Sequence, residues 1–214
     1  MKAFFKSHTT KYLLVFSVFA VILVLFREMV LQNNRFLFLI KNLLLAWIPY
    51  LFSAYFLRNK INNYGLILCA GFWLLFFPNA LYLTTDFFHL WPKPSASVWY
   101  DLIMIFSFAI CGLFLGFGSL RNFELLIASK FNYKIGRLSV VMFLFLGSFG
   151  VYIGRFMRFN SWDIITAPVY FHKEGLFFFE SPFDDVDLYI APVVFTIFCY
   201  LLYYGIFHFG KNHQ

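Results

Sequence analysis

The chain has 214 residues, 62% of them hydrophobic and 13% charged, with a mean hydropathy of +0.76. Soluble domains carry about 45–50% apolar and about 25% charged residues, so this composition excludes a soluble globular protein and points to one that lives in a bilayer. The net charge is +7, but the lysines and arginines are scattered between apolar runs with no dense basic tract, which argues against a nucleic-acid partner.

Six apolar runs follow one another, at 12–26, 36–57, 64–77 with an extension toward 90, 98–118, 137–156 and 188–209. Inside lipid every backbone polar group needs an internal partner, and these runs are too long and too uniformly apolar for barrel strands. The expected fold is therefore all-α, a polytopic transmembrane bundle of about six spanning helices. One integral membrane domain is expected over 1–214, with 154–187 as an outer-face loop or interfacial segment.

The first run follows a basic head, as a signal peptide does. It ends in Arg27-Glu28-Met29 with no small-x-small cleavage site, so it reads as a retained helix. Flanking residues are needed to bring it to a spanning length of about 20 residues. Cys69, Cys111 and Cys199 all fall inside apolar runs and read as buried free thiols.

Alternating spans sort the charges onto two faces. The face with both termini carries ten basic residues and one acidic residue; the other carries seven basic and nine acidic, with Arg27, Arg35 and Asp101 among them. The positive-inside rule then places both termini in the cytoplasm of a cell-membrane protein. The 78–97 and 154–187 connections fall together on the outer side.

The scarce polar residues concentrate in three places on that side. In "PNALYLTTDFFHL", a helix at 100° per residue gathers Asn79, Tyr82, Asp86 and His89 within about 80°, with Thr85 at the margin. Such a stripe on an apolar helix faces other helices or a wet cavity, and an intramembrane Asp or His needs a partner. In "WYDL", Asp101 sits in the first turn of the fourth helix, where a carboxylate suits the helix dipole, and it is also placed to face Asp86 or an arginine. In "GRFMRFNSWD", Arg155 and Arg158 share a helical face, to which Trp162 and Asp163 return. Arginines so paired suit structural bonds to aspartate, a phosphate or carboxylate ligand, or snorkelling to headgroups. The acidic stretch from His172 to Asp187 fits a solvated face, and its spacing matches no defined cation loop. Asp86 and His89 alone are a weak basis for a metal site, and none is assigned.

Taken together, "PNALYLTTDFFHL", "WYDL" and "GRFMRFNSWD" resemble the domain of unknown function 1361 family of bacterial multi-pass membrane proteins. Asn79, Tyr82, Thr85, Asp86, His89, Trp99, Tyr100, Asp101, Gly154, Arg155, Arg158, Asn160, Ser161, Trp162 and Asp163 occupy its motif positions. The resemblance implies a bacterial integral membrane protein and no established activity or cofactor. The chain departs from the family at Leu81, where a proline is frequent, which leaves open whether 79–82 is helical.

Two functions fit these residues. In the preferred one a non-enzymatic membrane protein uses Asn79, Tyr82, Thr85, Asp86, His89, Asp101, Arg155, Arg158, Asn160, Trp162 and Asp163 to bind a small anion or lipid headgroup, or to hold the bundle together. The arginines sit on the anion, Asp86 and Asp163 orient them, and His89 confers pH sensitivity. In the other an outer-face enzyme acts on a lipid-linked or phosphate-bearing substrate, with Asp86 or His89 as general base and the arginines on the phosphoryl group.

Overall fold

In the computed structural model, residues 8–32, 34–59, 62–90, 98–156 and 187–208 are described. They form α1 (His8–Leu31), α2 (Phe38–Arg58), α3 (Asn63–Tyr82), a 3₁₀ segment (Leu83–Leu90), α4 (Val98–Lys130), α5 (Tyr133–Phe156) and α6 (Asp187–His208). Among the described residues there is no strand, and six helices are long and apolar enough to cross a membrane. The fold is all-α.

The chain divides into two compact units, 1–136 and 137–214. In the first, α2 packs against both α3 and α4, and α1 and α3 each pack against α4. The buried residues of α1 are Thr10, Leu13, Ser17, Ala20, Val24, Arg27 and Glu28, spaced three and four apart so that they form one face. Tyr12, Val15, Phe19, Ile22, Phe26 and Met29 are exposed on the rest of the helix, a surface suited to acyl chains. Arg27 and Glu28 complete the span that the apolar run alone leaves short.

Each polar group on the α1 face meets another. Thr10 Oγ1 and the Tyr50 hydroxyl lie 3.0 Å apart, and Ser17 Oγ lies 3.2 Å from Cys111 Sγ while accepting from Trp47 Nε1 at 3.0 Å. Between Ser17 and Arg27 the face is dry, with Ala20 and Val24 against the same apolar core as Met104, Ile105 and Phe108. Nearer the α1 N-terminus, Asn122 Nδ2 donates to Ser53 Oγ at 3.1 Å, and Arg121 Nη1 pairs at 2.5 Å with the buried Glu124.

Helices α3 and α4 approach closely through glycine. A Cβ on Gly112 would stand 2.6 Å from the Ala80 carbonyl oxygen and 2.7 Å from Leu83 Cδ1; one on Gly116, a turn later, would stand 3.2 Å from Ala80 Cβ. Small residues four apart allow helix backbones to pack at this distance in membranes. Below the glycines, Trp73 stacks on Phe77 at 4.4 Å between ring centroids and lies tilted against Phe123 at 4.5 Å.

Two boundaries differ from the sequence expectation. The segment 119–130, read as the start of a connection, continues α4 to Lys130, because Leu120, Phe123, Leu126 and Ile127 present a buried helical stripe. The third span changes winding at Leu83. Thr84 and Thr85 donate to the carbonyls of Leu81 and Tyr82, both at 2.7 Å, local bonds of the i to i−3 kind that accompany a tightened turn. Residues 79–82 lie within α3, so the chain is helical at Leu81.

The second unit contains most of α5 together with α6. Arg137, near the start of α5, lies over the ring of Tyr204, near the end of α6, at 5.8 Å, as expected of an antiparallel pair. Pro192 interrupts the α6 backbone ladder.

Candidate functional site

The end of the first unit where α1 stops, α2 begins and α4 begins holds a buried ionic cluster. Arg27 lies four residues before the end of α1 and Asp101 in the first turn of α4. Arg27 Nε donates to Asp101 Oδ1 at 2.6 Å and Arg27 Nη2 to Asp101 Oδ2 at 3.2 Å. This bidentate geometry is the strongest kind of guanidinium–carboxylate bond. The side chains are 2% and 6% exposed, so each charge depends on the other to offset its desolvation. Beside the pair, the Tyr100 hydroxyl donates to the Leu23 carbonyl at 2.8 Å, a second tie between α1 and α4.

Arg27 also reaches Glu28. Its Nη1 lies 3.3 Å from Glu28 Oε1, which accepts from the Phe36 backbone N–H at 3.0 Å. The Phe36 ring is fully buried, with the Arg27 guanidinium carbon 4.3 Å from its centroid and that of Arg35 at 5.0 Å. A cation over an aromatic face gains electrostatic stabilisation, more so away from water. Half-buried Arg35 donates from Nη2 to the His89 carbonyl at 2.7 Å, tying the α1–α2 connection to the 3₁₀ segment.

The change of winding rearranges the polar stripe. In an α-helix Tyr82 and Asp86 would be about 40° apart; at about 120° per residue from Leu83 onward they are about 120° apart. Leu83, Asp86 and His89 instead align. Asp86 is fully buried, and His89, 43% exposed at its side chain, brings Nε2 to 4.0 Å from Asp86 Oδ1 while its ring lies 4.8 Å from that of Phe38. Asn79, Tyr82 and Thr85 are half-buried; Asn79 Nδ2 donates to the Phe76 carbonyl at 3.1 Å, and Thr85 bonds the Tyr82 carbonyl.

The structure thus places Asp86 and His89 together, and gives Asp101 an arginine partner from α1. Arg155 lies in the last turn of α5, in the second unit. Arg158, Asn160, Trp162 and Asp163, with nearly all of 154–187, lie outside the described residues. Among the described residues no group of three or more His, Cys, Asp or Glu is gathered as a metal would need.

Sequence reasoning missed Arg27, Glu28 and Arg35 as members of this cluster. The signal was present: an Arg-Glu pair inside the last turn of an apolar span is costly unless partnered, and charge sorting had already put it on the Asp101 side.

Spanning helices with apolar exteriors and buried, paired charges define the class as a multi-pass helical membrane protein. Residues 41–204 match the family model described as "Protein of unknown function (DUF1361)". The match covers most of the chain, which therefore belongs to that family. Asp86, His89 and Asp101 fall within the matched range; Arg27, Glu28 and Arg35 precede it. No curated protein and no solved structure matches the chain.

Proposed function

We propose that this protein is a non-enzymatic membrane protein that binds an anionic group, the phosphate of a lipid headgroup, at the end of the bundle where α1 meets α2. The observation that carries this reading is the Arg35 guanidinium, which is half-buried and held in place by the His89 carbonyl and the Phe36 ring. A preorganised guanidinium at the end of a span suits a phosphate both in charge and in geometry. Asn79, Tyr82 and Thr85 of the same unit are proposed to complete the site, and Arg155, Arg158, Asn160, Trp162 and Asp163 are proposed, separately, to bind a headgroup. Asp101 is assigned a structural role through Arg27.

Native mass spectrometry of the gently solubilised protein tests this. Wild type should retain a phospholipid, and Arg35→Ala should lose most of it, as should Arg155→Ala/Arg158→Ala. A bare wild-type mass would sink the reading. The 4.0 Å approach of His89 to buried Asp86 favours a second reading, an enzyme using His89 as general base on a lipid-linked phosphate. In the same experiment, bound lipid recovered with an altered mass would favour it.

The reading places the site on the outer face of a cell membrane, with both termini cytoplasmic. Cysteines introduced as Ser95→Cys and Glu174→Cys should react with an impermeant thiol reagent on intact cells. Reaction only after lysis would invert the topology.

A further inference from the structure

Among the described residues, the buried cluster sets one guanidinium against two carboxylates. Arg27 faces two carboxylates, Asp101 at 2.6 Å and Glu28 at 3.3 Å, and all three side chains are nine-tenths or more buried. Asp101 uses both oxygens on Arg27. Glu28 uses Oε1 twice, for Arg27 Nη1 and the Phe36 N–H. Its Oε2 is shut away from solvent and, among the described residues, has no hydrogen-bond partner. A buried acceptor left bare costs about 1–3 kcal/mol, and more when charged.

The donor that completes Oε2 has to bring both an N–H or O–H and positive charge, since the triad is already net negative. Among the described residues, the charged and titratable groups near it on the packed elements are Arg35 on the connection, the exposed Lys41 in the first turn of α2, Asp86 and His89 on the 3₁₀ segment, and Tyr100 with Asp101 on α4. Arg35 is held on the same Phe36 whose N–H bonds Glu28. A guanidinium and a bare carboxylate oxygen bridged by one residue match a ligand carrying phosphate and ammonium together. Glu28 lies in the last turn of a spanning helix, the level at which a bilayer presents such a ligand.

We infer that the bound lipid is zwitterionic with a primary amine, a phosphoethanolamine headgroup whose ammonium donates to Glu28 Oε2 and whose phosphate sits on Arg35. This rests on the lipid-headgroup reading above. Oε2 is covered in the structure, so the ammonium enters as the Phe36 end of the connection moves off Glu28. Two residues of that connection, Gln32 and Asn34, hold left-handed backbone at φ 50° and 52°, a conformation costly for residues with a side chain.

The test is lipid titration of the full-length protein by native mass spectrometry, using phosphatidylethanolamine, phosphatidylcholine and phosphatidylglycerol. Phosphatidylcholine keeps the positive charge but has no N–H to donate. Wild type should favour phosphatidylethanolamine over both others by about tenfold or more, the worth of one charge-assisted bond. Glu28→Gln, nearly isosteric, should erase that preference and leave phosphatidylglycerol binding, which Arg35→Ala should abolish. Equal wild-type binding of all three, or a preference that survives Glu28→Gln, would overturn the inference while leaving lipid binding standing. A wild type that binds none of them would overturn both. The comparison within wild type needs no variant to fold.

Discussion

Replacing Arg27 with methionine will destabilise the protein more than replacing Asp101 with leucine. The two residues form one ion pair, but the losses are unequal because Arg27 serves two carboxylates. Asp101→Leu leaves the guanidinium 3.3 Å from Glu28 and over the Phe36 ring. Arg27→Met leaves Asp101 and Glu28 buried together without the cation that, among the described residues, bonds both. Removing one partner of a buried pair costs about 3–5 kcal/mol; Arg27→Met belongs at the upper end and Asp101→Leu at or below the lower. The double variant should recover much of the loss, since an apolar replacement of a buried pair is often close to neutral. Adding Glu28→Gln should recover more. Unfolding from mixed micelles, followed by circular dichroism, measures the series. Equal losses for the two single variants would mean that Glu28 is no substitute partner, and no loss in either would remove the pair from the core altogether.

Gly112→Leu should be comparably damaging for a steric reason. The first atom added would meet a backbone carbonyl oxygen at 2.6 Å, and Ala80 cannot move away without carrying α3 with it. Even Gly112→Ala should cost about 1–3 kcal/mol by overpacking, and leucine more. Gly116→Ala, with its nearest contact at 3.2 Å, should cost less. Gly71→Ala meets nothing within 4 Å and should change stability by about 1 kcal/mol or less, toward stabilisation, as alanine favours helix. Ranking the three alanine variants by thermal unfolding in detergent checks the argument. Gly112→Ala as mild as Gly71→Ala would show that α3 and α4 are not in close contact.

Much of this fold was legible because spanning helices announce themselves through length and apolarity. Less legible were the points where a local rule is modified by a neighbour. Nothing in the sequence of 83–90 declares 3₁₀ winding, and the α periodicity that joined Tyr82 to Asp86 fails there. The end of α4 lies beyond the apolar run that stops at Gly118, because Arg121 and Glu124 pair with each other and leave the apolar stripe to continue. The site was half visible. The alignment of Asp86 with His89 survives, since residues three apart stay neighbours in either winding. The partner of Asp101 did not emerge, because the pairing spans 74 residues and Arg155 and Arg158 drew the attention that Arg27 warranted.

That separation in sequence has a consequence for how the protein is made. Ribosomes add about 5–20 residues per second, so roughly 4–15 s pass between the synthesis of Arg27 and that of Asp101. Throughout that interval α1 must be handed to the membrane with a guanidinium whose eventual partner does not exist. Glu28 is the one acidic residue in α1, and it stands next to Arg27. The adjacent pair lets the first helix enter lipid as a locally neutral unit, and the later arrival of α4 converts a provisional partnership into the final one. On this view Glu28 acts as a placeholder during biogenesis, and its buried, unbonded oxygen in the finished protein is what remains of that office.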